Sequence, residues 1–408
     1  MRRVAPWTLA LVTLAVIIVP FALAATSAAP AAAKADRSPG QPVAAAISTV
    51  TGIAISPLLG TGAYGAYQWM SAKDDAARAA LPWFAQLSFW LPALLLVGAC
   101  AAKDALGAAL PPGLKKPFDV IETLENKVSG LVAAGAVVPL SVSAMTKLVV
   151  GGGALAVAPA ADLAGSGLAV LPLGAADFSG LLSILTVPLG LAVFLVVWLG
   201  SHAINVLILL SPWGAIDAGL KAARTALLGL VTVAATLNPW VGAVLSVAVI
   251  VVAYLVAGWA FRLTVFGSVF CWDFLSGKRK SFTPAAGGNP MFAGPALAGV
   301  PVRSFGTLEK EAGGGLRFRY RPWLVLPEKA APVAGETRRM AVGEGAFFSD
   351  ILTPEGRSLF SLPPRYRGHE AKVADVYGLG AGVQPAGLRK AWSALKELIG
   401  VSARQPAQ

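Results

Sequence analysis

The sequence KPFDVIETLENKVSGLV, residues 116–132, places charged side chains inside an otherwise strongly apolar region. Asp119, Glu122, Glu125 and Lys127 fall within nine residues. The three acids are spaced three apart, so they share one face of the predicted helix. They either line a polar cavity or lie solvated at a helix start, where acids complement the helix dipole. Charged groups in a membrane-like sequence are costly, which makes them functional candidates by default.

Residues 211–231, SPWGAIDAGLKAARTALLGLV, repeat part of this pattern. Both stretches begin with Pro and an aromatic residue, place Ile and an acid four and five residues after the Pro, and close on Gly-Leu-Val. The equivalent acids are Glu122 and Asp217. The Pro-to-Gly spacing is 13 residues in one copy and 17 in the other, a difference of about one helical turn. The two stretches therefore predict an internal repeat, with an i,i+4 ion pair between Asp217 and Lys221 in the second.

Composition points to a membrane protein. Apolar residues make up 56% of the 408 residues, charged residues only 13%, and the mean hydropathy is +0.68. Soluble domains average about 25% charged residues. Six apolar segments predict an all-α membrane domain of about five to seven transmembrane or half-spanning helices. Within it, residues 81–102 read as a full span, whereas Pro57 and several glycines in residues 42–70 argue against a straight uninterrupted helix.

The sequence divides into six parts. Residues 1–25 read as a signal peptide, with Arg2 and Arg3 before an apolar core and an A-x-A site, or as an uncleaved anchor. The remaining parts are a disordered linker (26–41), a polytopic helical domain (42–275), a Gly/Pro-rich linker (276–300), a β-rich domain with a C-terminal helix (301–400) and a tail (401–408).

The basic residues set the expected orientation. From residue 276 onward the chain has 19 Lys and Arg against 10 Asp and Glu. The Lys-Arg-Lys run at 278–280 favours a cytoplasmic C-terminal domain in a bacterial inner membrane. A cleaved signal then requires an odd number of spans. Either one of the six apolar segments does not cross, or the N-terminal segment stays as a seventh helix.

One stretch carries a family resemblance. Lys103-Asp104, a Pro-containing turn, and then Asp119, Glu122 and Lys127 before Gly130 resemble an uncharacterised bacterial integral-membrane family, a domain of unknown function. The resemblance covers about residues 94–137. The order of the first charged pair and the longer turn depart from the family pattern. The resemblance implies a membrane location and no established activity.

The C-terminal domain has strand-like alternation. The candidate strands are residues 316–326, 338–348, 358–368 and 371–377. A helix over Pro385–Gly400 follows, with Leu388, Trp392, Leu395 and Ile399 on one face. Short strands closed by one amphipathic helix resemble the pleckstrin-homology-like superfold. That resemblance is one of architecture and implies no function by itself.

Two groups of residues are candidate sites. The first is a polar cavity formed by acids and a histidine that titrates near neutral pH: Asp104, Asp119, Glu122, His202 and Asp217. A structural, hydrogen-bonded role for His202 is the alternative. The second is a basic strip facing anionic lipid, or else a solvated strand face: Arg317, Arg319, Arg321, Arg338 and Arg339.

The candidate sites support two functions. The first is transport or lipid handling through a polar cavity between the two related helices. The alternative is a non-catalytic anchor or scaffold whose basic C-terminal domain binds anionic lipid or a protein partner. No phosphate loop, nucleophile elbow or HExxH motif is present, which argues against a familiar enzyme. Two cysteines are too few for a disulfide framework or a zinc site. We expect no metal, cofactor or nucleic acid; the sequence sets no oligomeric state.

Overall fold

The computed structural model describes residues 40–107, 112–151, 178–211, 214–277, 281–285, 287–345 and 348–385. The chain forms two compact units. The first, the helical unit, runs to Ala257 and leaves out residues 209–212. The second, the sheet unit, comprises those four residues and the chain from Gly258 onward. The predicted signal lies outside the described residues, as do nearly all of the predicted linker at 26–41 and the predicted C-terminal helix after Pro385.

Helices make up most of the described residues between 40 and 276. In chain order they are α1 (Gln41–Ile55), α2 (Pro57–Ser71), α3 (Asp75–Ala79), α4 (Leu87–Gly107), α5 (Pro112–Gly151), α6 (Phe178–Leu210), α7 (Gly214–Leu237) and α8 (Pro239–Ser276). A short 3-10 turn, Trp83–Ala85, precedes α4. Helix α8 continues across the boundary between the two units.

Three of the described helices are long and apolar enough to cross a membrane. They comprise Thr186–Leu210 of α6, Ile216–Leu237 of α7 and all of α8. This is fewer than the five to seven predicted from the sequence. The predicted span at 81–102 begins in the 3-10 turn and continues into α4, where the apolar helix is Leu87–Cys100. The apolar helix Gln41–Ile55 is also shorter than a span.

The interruption that the sequence predicts within residues 42–70 is the break between α1 and α2. Ser56 has an extended backbone, with φ −142° and ψ 90°, and Pro57 is the first residue of α2. A residue before proline is sterically driven out of the helical region, which ends α1. Gly60 allows the chain to fold tightly after the break, because a Cβ there would lie 2.7 Å from the Ile53 Cα.

Helix α1 lies at the centre of the helical unit, packed against α2, α5 and α7. Its last turn is almost fully buried at Ile53, Ala54 and Ile55. These side chains share one apolar core with residues of α5, α6 and α7, including Ala133, Phe194 and Leu228. The charged face of α5 therefore belongs to a helix whose other face is part of the core.

Gly65 on α2 tests this packing. A Cβ at this position would lie 2.1 Å from the carbonyl oxygen of Phe84, a backbone atom that cannot move aside. We expect Gly65→Ala to lower the free energy of unfolding by about 1–3 kcal/mol. Gly98→Ala on α4 is the control, because a Cβ there meets nothing within 4 Å, and it should be neutral or slightly stabilising. Thermal unfolding in detergent compares the two, and equal melting temperatures would contradict the packing.

The sheet unit contains one eight-stranded sheet. Its strands are β1 (Asn289–Ala293), β2 (Phe305–Lys310), β3 (Leu316–Tyr320), β4 (Lys329–Pro332), β5 (Ala341–Glu344), β6 (Ser349–Leu352), β7 (Ser358–Leu362) and β8 (Val383–Pro385). The order across the sheet is β4-β3-β2-β1-β7-β6-β5-β8. All neighbours are antiparallel except β5 and β8, which are parallel.

The alternation predicted in residues 316–326 is confirmed over β3. Leu316, Phe318 and Tyr320 are buried, while Arg317 and Arg319 point to solvent. The strand ends at Tyr320, because the residues after it turn through a short 3-10 segment at Pro322–Leu324. The predicted strand segments at 338–348 and 358–368 contain β5 and β7 respectively.

Two predictions in this part of the chain are wrong. Strand β1 lies in the middle of the sheet, although its residues fall within the predicted linker at 276–300. Residues 371–377, predicted to be strand-like, belong to helix α9 (Glu370–Tyr377). Val373, Ala374 and Tyr377 are buried at helical spacing. Gly378 then ends the helix in the left-handed conformation, with φ 69°.

Candidate functional site

A group of polar and charged side chains from α5, α6 and α7 lies within the helical unit. We call this group the polar layer. Its members are buried or half-buried: Glu122, Thr123, Glu125, Asn126 and Ser129 of α5, Ser201, His202 and Asn205 of α6, and Asp217, Lys221 and Arg224 of α7. Buried charges need partners, so the pairing within this layer determines what it can do.

An ion pair connects the two related helices. The Lys221 Nζ lies 2.9 Å from Glu122 Oε2, and the two side chains are 18% and 15% exposed. The pair between Lys221 and Asp217 on one helix stays a prediction. The contact between Lys221 and Glu122 joins α7 to α5.

His202 is fully buried at the centre of the polar layer. Its Nδ1 lies 2.9 Å from Asn126 Oδ1. Because an amide oxygen only accepts, the assigned geometry makes Nδ1 the donor and leaves Nε2 as the acceptor of a neutral ring. Among the described residues, Nε2 has no hydrogen-bond partner. The imidazole also stacks on Trp198, with ring centroids 5.1 Å apart and an interplanar angle of 13°.

Gly130 allows this stack to form. A Cβ on Gly130 would lie 2.4 Å from the Trp198 Nε1. The indole therefore lies directly against the backbone of α5, which positions its ring beside His202. Gly130 is the first residue of the Gly-Leu-Val triplet that ends the first repeated stretch. Its small size therefore has a direct packing role.

Two further contacts extend the layer. Arg224 on α7 donates to the Asn205 Oδ1 on α6 at 2.5 Å. Ser201 donates to the carbonyl oxygen of Ile55, the last residue of α1. Carbonyls at a helix end have no partner within the helix, and Ser201 satisfies this one. The polar layer is thus hydrogen-bonded to the break between α1 and α2.

The structure places three of the five predicted cavity residues in the polar layer. Glu122, His202 and Asp217 lie in the polar layer, and Asp217 is only 4% exposed. The backbones of Asp104 and Asp119 are helical, but their side chains lie outside the part of the chain that the structure describes. The sequence interpretation did not include Asn126 or the Glu122–Lys221 contact. A single sequence carries no signal for contacts across helices, apart from the equivalence of the two repeated stretches.

The predicted lipid-facing arginines alternate with acids. Arg317 pairs with Glu311, and Arg319 pairs with Glu309 at 3.1 Å and Glu328 at 2.7 Å. Arg321 approaches Glu328 at 3.8 Å. The hydrogen bond that Arg319 donates to the Glu328 carboxylate raises the pKa of the Arg319 guanidinium above its ordinary value. This face of β3 carries as many acids as bases, so its charge is balanced.

Arg338 and Arg339, the other predicted members of the strip, belong to a short 3-10 turn before β5. Both are exposed. They lie on a different segment from the alternating arginines of β3, so the sequence run alone does not join the five into one surface.

No protein-family model, curated protein or solved structure matches this chain. The resemblances to an integral-membrane family over residues 94–137 and to the pleckstrin-homology-like superfold therefore stay predictions.

Proposed function

We propose that the helical unit transports a small polar or charged species, or the headgroup of a lipid, through its polar layer. The observation that supports this proposal is the Glu122–Lys221 ion pair at 2.9 Å between α5 and α7. An inner-membrane location with a cytoplasmic sheet unit is part of the proposal, because the Lys-Arg-Lys run follows α8.

The composition of the layer suits exchange of partners. It contains acids on α5 and α7 and bases on α7, so a bound ion or zwitterion can replace one half of a protein ion pair. Breaking a buried pair without replacement leaves an uncompensated charge, which is costly. A solute of the right charge removes that cost, and this couples solute binding to separation of α5 from α7.

The repeat gives each helix one acid in an equivalent sequence position, Glu122 on α5 and Asp217 on α7. Transporters with internal repeats place their binding sites where related helices meet. We propose the same arrangement here, with α5 as a half-spanning helix paired with α7.

Reconstitution of the full chain into liposomes tests this function. One assay follows dithionite bleaching of a fluorescent phospholipid, which reports lipid movement between leaflets. A second follows a trapped pH-sensitive dye under imposed ion gradients. We expect Glu122→Gln and Asp217→Asn each to lower the rate at least about tenfold, a barrier change of about 1.4 kcal/mol.

Asp75→Asn is the matched control. It removes an acid from an exposed ion pair with Arg78, outside the polar layer, and should leave the rate unchanged. Wild-type rates in both Glu122→Gln and Asp217→Asn would contradict the proposal. Absence of any flux in the wild-type chain would favour the alternative, a membrane anchor or scaffold.

A further inference from the structure

A cleft of about 130 Å³ opens within the sheet unit. It lies between the part of α8 that begins at Gly258, the loop before β2 and the loop after β3. Three arginines line it: Arg262, Arg303 and Arg321. We call it the arginine cleft. On this scale a single water needs about 10–15 Å³, so the cleft is large enough for a group of several heavy atoms.

The three arginines differ in the contacts that the structure gives them. Arg262 donates from Nε to the carbonyl oxygen of Val302 at 2.9 Å, which fixes its side chain along the cleft wall. The Arg303 guanidinium lies 5.7 Å from the centre of the Phe266 ring. The acid paired with Arg321 is Glu328, at 3.8 Å. Three guanidinium groups around a small space favour a phosphate, which they bind with charge-assisted hydrogen bonds.

The backbone around the cleft is strained. In the described part of the chain, the non-glycine residues with positive φ are Arg303 (62°), Trp323 (54°) and Leu324 (61°). All three line the arginine cleft. Such conformations cost free energy and persist where the surroundings enforce them, often at binding sites. Here the Trp323 ring packs on Phe261 of α8, with centroids 4.8 Å apart.

An exposed apolar segment borders the cleft. Residues 323–326, Trp-Leu-Val-Leu, are 45%, 45%, 80% and 45% exposed. We call them the apolar loop. Four consecutive large apolar side chains in contact with solvent are unusual on a soluble surface and indicate a partner surface.

Helix α8 indicates what that partner is. From Trp240 to Leu255 it exposes apolar side chains, with Val244, Tyr254 and Leu255 more than 70% exposed. These residues belong to a helix long enough to span a membrane. Phe261 and Arg262, which contact the apolar loop and the cleft, follow within two turns of Leu255 along the same helix. Trp and Arg are the residues that proteins place at the membrane interface.

We propose that the apolar loop inserts into the membrane interface and that the arginine cleft holds the phosphate of an anionic phospholipid. The charge of the cleft matches the lipid phosphate, and the apolar side chains beside it match the acyl boundary. This site shares Arg321 with the balanced arginine and glutamate face of β3, and its other two arginines, Arg262 and Arg303, lie outside that face. It also differs from the polar layer, and neither site requires the other.

The depth of the apolar loop tests the insertion. A fluorophore is attached at Val325→Cys in the full chain, after Cys100→Ala and Cys271→Ala remove the native thiols. The control carries the label at Ala312→Cys, an exposed position in the turn at the opposite end of β3. In liposomes, lipid-borne quenchers should quench the label at 325 and not the label at 312. Equal quenching at the two positions, or none at either, would overturn the insertion.

The arginines test the headgroup. Arg303→Gly keeps the positive φ available while removing the guanidinium, and Arg321→Gln removes a second charge. Each should lower the retention of phosphatidylglycerol over phosphatidylcholine, measured by native mass spectrometry, about fivefold. Arg338→Gln, an exposed arginine outside the cleft, is the charge-matched control and should retain wild-type preference.

Two outcomes would overturn the lipid assignment. The first is an equal loss of preference in the Arg338→Gln control, which would show a general effect of net charge. The second is displacement of phosphatidylglycerol by millimolar glycerol phosphate, which would assign the cleft to a soluble phosphate compound. Retained preference in both cleft variants would contradict the role of the arginines directly.

Discussion

Replacing Asp273 by alanine is expected to lower the local free energy of unfolding of the sheet unit by about 3–5 kcal/mol. Asp273 on α8 is fully buried at its side chain, and Arg365 is 12% exposed. The guanidinium binds both carboxylate oxygens, at 2.6 and 2.7 Å. The backbone N–H of Arg365 adds a third contact at 3.3 Å. Removing the acid leaves a buried guanidinium without its anion, and hydrogen exchange of the β1 and β7 amides measures the loss.

Glu311→Ala is the control for this prediction. It breaks the Arg317–Glu311 pair, whose side chains are 53% and 41% exposed, and should change the free energy by less than about 1 kcal/mol. Asp273→Leu with Arg365→Met removes both charges and should recover most of the loss. A loss in Asp273→Ala no larger than in Glu311→Ala would show that the contact contributes little.

The second large effect is expected at Lys221. Lys221→Met takes away the cation that lies 2.9 Å from Glu122, and we expect a loss of about 3 kcal/mol in the helical unit. The side chains retain some exposure, so the expected value lies at the lower end for buried pairs. Thermal unfolding in detergent provides the measurement, compared across Glu122→Gln, Lys221→Met and the double variant.

A double-mutant cycle measures the interaction energy between Glu122 and Lys221 apart from the other contacts of each residue. If the ion pair holds α5 to α7, the double variant should be more stable than the sum of the two single losses predicts. Strict additivity of the two losses would contradict a direct interaction. The same variants separate stability from function. A Glu122→Gln chain that unfolds at the wild-type temperature but shows no flux points to a role in transport.

The sequence predicted the acids of the candidate site better than their partners. Burial of Glu122 and Asp217 in polar surroundings follows from charges inside an apolar sequence. The contact between Lys221 and Glu122 does not follow from the sequence. The spacing of residues along one helix is equally compatible with a partner at i,i+4 and with a partner on another helix. Asn126 and Gly130 carry no charge, and their roles depend on the approach of His202 and Trp198 from α6.

Local fold signals succeeded where steric rules are strong. Pro57 and the glycines after it predicted an interruption within residues 42–70, and alternation predicted β3. The central strand β1 was missed because its five residues contain Pro290 and lie in Gly/Pro-rich sequence, while its burial comes from pairing with β2 and β7. Residues 371–377 fit alternation and helical spacing alike, and Gly378 was the available signal for a helix end.

The two outermost strands limit how the sheet can associate with other chains. Strand β4 at one edge has four residues and ends in Pro332, and β8 at the other has three and ends in Pro385. Short edges that contain proline offer few free backbone groups for another strand. Sheet extension and edge-to-edge aggregation are thus disfavoured at both described edges. Partners of this unit are expected to bind through side chains and loops, as a membrane surface does.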